Sequence, residues 1–366
     1  MDLATERVRR ALLTLLRAGL WNRPIDETAC FPMSEREWRA LFELARRQTV
    51  TGVAFQGLQW LPDEWLPAPA VLVRWMAGVD AVERRNREMN GVLAALSADF
   101  RARGFDPVLQ KGQGVAAYYE RPLLRECGDI DLCFHDRQTS ERAAEYMRRQ
   151  GAVIQRMSDG ALFYRWKGFE VEHHVRLLDL HNPFLQRDAI RLIHEKGCVE
   201  VALPERSGAS IAVPAPFVNL LLLDLHVLKH ALGRGIGLRQ LCDLARACHR
   251  LHEAIDADEM SALCHRWGLD RWNRLLHAFL VDCLGLEAAS LPYAERASDA
   301  GPLLEIVWRG GNFGHYPTGR GRARQSRAGR KLATARSFCG NLRFACRYAP
   351  KEAFWLFADL MKGQFR

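Results

Sequence analysis

The chain has 366 residues, 48% of them hydrophobic, enough to bury one large core or two smaller ones, and a formal charge of +9. No stretch is apolar over the length a bilayer crossing needs; the best, Phe217 to Leu228, is interrupted by Asn219, Asp224 and His226. No signal-peptide core follows the N-terminus, and ten cysteines without a Cys-x-x-Cys pair read as reduced thiols, so the expected location is cytoplasmic.

In chain order, Leu3 to Leu16 carries an amphipathic helical pattern. Glu35 to Arg47 carries another, behind a Ser34 cap with Glu37 in the capping-box position. A long helical stretch from Ala70 to Arg103 ends at Gly104. Gln110-Lys111-Gly112 then forms a basic turn opening a helix. Behind Arg125-Glu126-Cys127-Gly128 comes a strand, Asp129-Ile130-Asp131-Leu132. Side chains alternate along a strand, so Asp129 and Asp131 share one face while Ile130 and Leu132 enter the core. Thr139 to Gln150 reads as a helix with Ser140 as N-cap and Gly151 as its stop. Ala152 to Arg156 and Ala161 to Trp166 read as a hairpin around Ser158-Asp159-Gly160. Phe169 to Val175 is a further strand, with Glu170, Glu172 and His174 on one face. Val199 to Leu203 and Ile211 to Val213 suggest another hairpin. After proline breaks at 204, 214 and 216, helices follow over 217–231, 238–252, 258–267 and 272–284. Glu352 to Met361 is short, aromatic and amphipathic, packing back on the body or touching a membrane surface. The expected class is α+β, a small mixed sheet between helical flanks.

The chemistry concentrates on the acids. Two carboxylates side by side on a half-buried strand repel each other, and a divalent cation resolves that repulsion. Hard oxygen ligands suit magnesium, which also bridges substrate phosphates. Glu172 supplies the third acid such a site needs, with Glu170 its rival on the same face. The competing reading of Asp129 and Asp131 is a solvated edge strand. Lys111-Gly112 upstream and the third acid downstream favour the metal. A glycine turn opening a helix exposes N–H groups and a positive dipole end that suit a phosphate. Arg125 offers a fork-shaped cation for a triphosphate, or caps a loop. His174, His226 and His230 read individually as structural or supporting residues, and Asp243 equally as a helix-surface charge. Cys242, Cys248, His249 and His252 have spacing that fits no common zinc site and read as helix residues.

These residues resemble the nucleotidyltransferase superfamily typified by DNA polymerase beta, with its glycine turn, acid-x-acid strand and third acidic strand. More closely, they resemble the branch called the uncharacterised nucleotidyltransferase family. There the turn reads Lys-Gly, as at Lys111-Gly112, and an Arg shortly precedes Gly-Asp-Ile-Asp-Leu, as at Arg125. The third acid is followed two residues on by a His, as Glu172 and His174 are. A helical region bears His, Lys-His and a later Asp, as at His226, Lys229-His230 and Asp243. The resemblance spans roughly residues 30–320, and His173 departs from it where relatives carry an aliphatic residue. It implies a nucleotidyltransferase core over 105–214, an N-terminal helical region over 1–104 and a helical domain over 215–310. A basic loop and C-terminal helices would fill 311–366. It further implies transfer of an NMP from an NTP to an acceptor hydroxyl with Mg2+ (or Mn2+). Asp129 and Asp131 would hold magnesium against the triphosphate, and Glu172 would complete a second metal's shell or take the acceptor's proton. Gly112 would bring backbone close to the phosphates, and Lys111 and Arg125 would offset their charge, with His174 alongside. The acceptor stays open among a small molecule, a peptide or protein, and RNA. The alternative is a catalytically silent scaffold that binds nucleotide, peptide or nucleic acid. A third possibility is transfer of a different group from another activated phosphate donor.

The charge is local. Between Ile306 and Lys351 lie eleven Lys or Arg and no acid, so the rest of the chain sums to −2. The run centred on 319–331 either steers a polyanion towards the site or forms a solvated loop. It lacks the interleaved aromatics that base stacking uses.

Overall fold

The computed structural model describes residues 5–157, 160–205, 208–233, 235–310 and 340–362. Four helices lead: α1 (Glu6–Trp21), α2 (Glu35–Arg47), α3 (Thr51–Gly57) and the long α4 (Pro69–Arg101). The first runs past its expected end because the buried Gly19 and Leu20 extend its apolar face, and it stops at Asn22 in the left-handed conformation. The capping box at α2 forms as its sequence dictates, with Ser34 and Glu37 each bonding the other's backbone N–H.

The core then alternates strands and helices: β1 (Val108–Leu109), α5 (Gln113–Ala116), β2 (Asp129–Cys133), α6 (Arg137–Arg149), β3 (Gln155–Arg156), β4 (Leu162–Trp166) and β5 (Phe169–His174). They form one mixed sheet in the order β1-β2-β5-β4-β3, in which only β2 and β5 run parallel. A parallel pair needs a crossover, supplied here by α6 and the β3–β4 hairpin. The α6 cap is corrected: Asp136, not Ser140, takes the Thr139 N–H at 2.7 Å. Ser140 is buried within the helix instead.

Alternation sets the sheet's two faces. Ile130, Leu132, Tyr164 and Val171 face inward, where they pack with Met89, Leu93 and Phe100 of α4 and Met147 of α6. His173 joins that apolar face and is 1% exposed. It is accommodated as a neutral ring: the Tyr164 hydroxyl lies 3.0 Å from Nε2, and burial pushes the imidazole down to about 3.

Beyond the sheet lie α7 (Gln186–Lys196), the hairpin β6 (Cys198–Ala202) and β7 (Ser210–Pro214), and then α8 (Pro216–Leu232), α9 (Leu238–Leu251), α10 (Ala257–Trp267), α11 (Asp270–Ala278) and α12 (Gly301–Gly310). The expected helix over 272–284 becomes α11 followed by a π-turn over Phe279–Cys283. α13 (340–348) and α14 (Pro350–Lys362) end the described chain. The leading helices and α8–α12 share one apolar cluster, and Trp21 reaches across it to donate to the Leu284 carbonyl at 2.6 Å. Among the described residues no helix is long and apolar enough to cross a membrane. The basic run at 319–331 lies outside the described residues.

Candidate active site

The parallel register decides which acids meet. It sets Asp129 opposite Glu170 and Asp131 opposite Glu172, with Cys133 opposite His174. His174 then leans back onto the acids, its Nε2 lying 3.0 Å from Asp131 Oδ1 and 3.4 Å from Glu172 Oε2. From the glycine turn, Lys111 Nζ approaches Asp131 Oδ2 to 3.3 Å. Gln110 ties this turn to β2 and to the segment just past β5, its N–H donating to the Asp131 carbonyl at 3.0 Å and its side-chain amide to the Arg176 carbonyl at 2.7 Å.

Asp131 is the centre, 6% exposed. Burial would raise its carboxyl, but Lys111 and the His174 hydrogen bond outweigh it and hold the group well below the usual carboxylate range. Burial would likewise lower His174, yet its bonds to Asp131 and Glu172 carry it up to about 9. Burial works against the Lys111 ammonium too, and the charges of Asp131, Asp129 and Asp179 overcome it, leaving its pKa raised. Asp129 goes the other way, raised first by repulsion from Asp131 and then by burial.

Gly112 closes the turn with φ +62° and ψ −122°, and a Cβ there would stand 3.3 Å from the Cys127 sulfur and 3.5 Å from the Asp129 carbonyl oxygen. That conformation and that proximity both call for glycine.

Among the described residues, the one His, Cys and acid group able to hold a metal is Asp131, Glu172 and His174, whose ligand atoms all lie within 4.8 Å of one another. Asp129 stands beside them on the same face of β2. The donor chemistry fits a divalent cation: carboxylate oxygens suit magnesium or manganese, and the raised Asp129 marks surplus negative charge that a cation relieves. Cys242, Cys248 and His249 of α9, and His252 just beyond it, take no part in this group.

Other expected residues are placed differently. Arg125 is buried and forks onto Asp243, Nε to Oδ1 at 3.0 Å and Nη2 to Oδ2 at 2.6 Å, and the Tyr119 hydroxyl donates to the same carboxylate at 2.8 Å. The guanidinium expected to meet a triphosphate is thus enclosed and bonded to Asp243 in this structure. Asp243, equally, is no helix-surface charge. Glu170 sits outside the metal-capable group, exposed and paired with Arg165 at 2.6 Å. His226 and His230 pack ring to ring at 4.5 Å on α8, and Lys229 binds Asp179 at 2.7 Å. Burial, then neighbouring cations, lowers both histidines, His230 to about 3. Lys111 is among those cations.

Two residues escaped the sequence. Asp179 interrupts an apolar run just after β5, a signal that was readable. Arg239 stands four positions before Asp243, on the same face of α9, and donates to the Glu126 carbonyl at 3.1 Å.

Residues 34–285 match the model of a family described as uncharacterised nucleotidyltransferase. No curated protein and no solved structure matches.

Proposed function

The chain belongs to the uncharacterised nucleotidyltransferase family, and we propose that it transfers the NMP unit of an NTP to an acceptor hydroxyl, with Mg2+ (or Mn2+) as cofactor. The observation that carries this is the parallel β2–β5 register, which sets Glu172 beside Asp131 while Lys111 meets the same carboxylate. Asp129, Asp131 and Glu172 would hold the cation, which when bound offsets the negative charge of the reacting phosphates.

The acceptor oxygen attacks the α-phosphorus as the bond to the bridging oxygen breaks, and pyrophosphate leaves with that electron pair. Glu172, half-buried at the mouth of the group, takes the acceptor's proton. Lys111 offsets phosphate charge, and Gly112 lets backbone approach closely enough to donate N–H bonds. His174 orients Asp131 through its 3.0 Å contact. On this reading the chemistry belongs to residues 105–214, and α8 and α9 supply the opposite wall. The acceptor is a small molecule, a peptide or protein side chain, or an RNA, met in the cytoplasm.

The test is incubation with each labelled NTP, Mg2+ and cell extract, followed by pyrophosphate assay and separation of labelled protein, RNA and small molecules. Asp131→Asn removes charge without volume, so turnover should fall by about a thousandfold or more while the melting temperature holds within a few degrees. Wild-type-like turnover in that variant refutes the assignment. Stabilisation by NTP with no pyrophosphate released would instead identify a binding scaffold.

A further inference from the structure

We propose that Arg239 receives the donor's phosphate chain at this site; the inference rests on the nucleotidyltransferase reading above. Arg239 lies in the first turn of α9, and its Nη1 donates to the carbonyl of Glu126, three residues ahead of Asp129. The rest of its guanidinium is uncommitted. Among the described residues it has no carboxylate within ion-pair distance, and its Nε is buried without a hydrogen-bond partner. Folded proteins rarely leave such a donor unsatisfied unless water or a ligand completes it.

Its position follows first from its bond to the Glu126 carbonyl, which fixes the guanidinium at the loop entering β2. On the α8 side, its charge is among the causes, behind burial, that lower His226 and His230. A guanidinium bonded to the loop three residues ahead of Asp129 stands at the entry of β2, on the side where α9 packs. The site then presents Lys111 beside Asp131 and Arg239 towards Asp129, two cations bracketing the acids. Lys229, the other cation of that wall, is tied to Asp179. A planar guanidinium matches phosphate oxygens in a way an ammonium does not. The α9 backbone that carries it is fixed from behind, because Asp243, one turn on, is gripped by Arg125 and Tyr119.

The test is equilibrium binding to the full chain with Mg2+ present, comparing an NTP, its NMP and inorganic triphosphate. Arg239→Gln should weaken NTP and triphosphate by about tenfold or more and NMP by less than about twofold, with Arg239→Lys between. A purely structural role would weaken NTP and NMP alike, and that result overturns the inference, as does unchanged affinity for all three. Should Arg239→Gln fail to fold, the charge-retaining lysine variant must still lose NTP more than NMP, or the inference fails. A wild-type chain that binds no NTP would defeat the nucleotidyltransferase reading and this inference with it. Wild-type NTP binding that Arg239→Gln leaves intact defeats this inference alone.

Discussion

Two groups of buried charge flank the start of β2, and they are built on opposite plans. At Arg125 and Asp243 one cation meets one anion fork to fork, and the Tyr119 hydroxyl adds a third hydrogen bond, to Oδ1. Asn86, from α4, clamps the same loop by donating to the carbonyls of Leu123 and Arg125 at 2.7 and 2.9 Å. Around Asp131, by contrast, Lys111 and His174 face three acids, and Asp129 carries the imbalance as a raised pKa. A closed pair has nothing left to offer a ligand. An open group with surplus charge does, and a perturbed carboxylate beside a like charge is a common mark of a functional site.

The sharpest way to break this contrast is to open the closed pair. Asp243→Ala leaves the Arg125 guanidinium and the Tyr119 hydroxyl uncompensated in the interior, and removing one partner of a buried pair costs about 3–5 kcal/mol. Urea denaturation should show the midpoint falling accordingly. The double variant Arg125→Met with Asp243→Leu should recover much of the loss, because apolar replacement removes both desolvation penalties. A loss below about 1 kcal/mol in the single variant would reassign the pair to function.

The open group should reveal itself through pH rather than through bulk stability. In the folded chain His174 is carried up to about 9, above the roughly 6.5 of an unfolded histidine. Its contribution is therefore fully present below about pH 6.5 and lost as pH rises through about 9. His174→Gln should lower stability by about 2–3 kcal/mol at pH 6, and the gap from wild type should close by pH 10. Melting curves at the two pH values decide it; a gap independent of pH would show that the imidazole is neutral in the fold.

What was legible in the sequence follows from the range of the forces involved. Alternation is local, so β2 and β5 and the face carrying Asp129, Asp131, Glu172 and His174 could be read directly. The capping box at Ser34 and the glycine stop at Gly151 were local too. Pairing was not. Arg125 and Asp243 are 118 positions apart and Arg239 and Glu126 are 113 apart, so neither contact leaves a mark in a window of sequence. Arg125 looked available because its partner lay on a distant helix. His174 looked secondary because only the register folds it back onto Asp131. The α6 cap slipped because Asp136 and Ser140 are both good N-cap residues, and burial of Ser140 decided between them.

The finest division is within β5 itself, where Glu170 and Glu172 share a face and periodicity alone could not choose. The neighbouring strand chooses. Glu170 stands directly opposite Arg165 on the antiparallel β4 and bonds it at 2.6 Å, with both side chains exposed, at 44% and 75%. Such a pair is screened by solvent and is worth less than about 1 kcal/mol. Glu172 stands opposite Phe163 on β4, which offers no cation, and its carboxylate reaches His174 at 3.4 Å within the group centred on Asp131. Glu170→Gln should therefore leave the melting temperature within about two degrees and turnover within about twofold of wild type. Glu172→Gln in the same assay should lose turnover as Asp131→Asn does, and equal losses in the two glutamine variants would mean that the third acid has been misassigned.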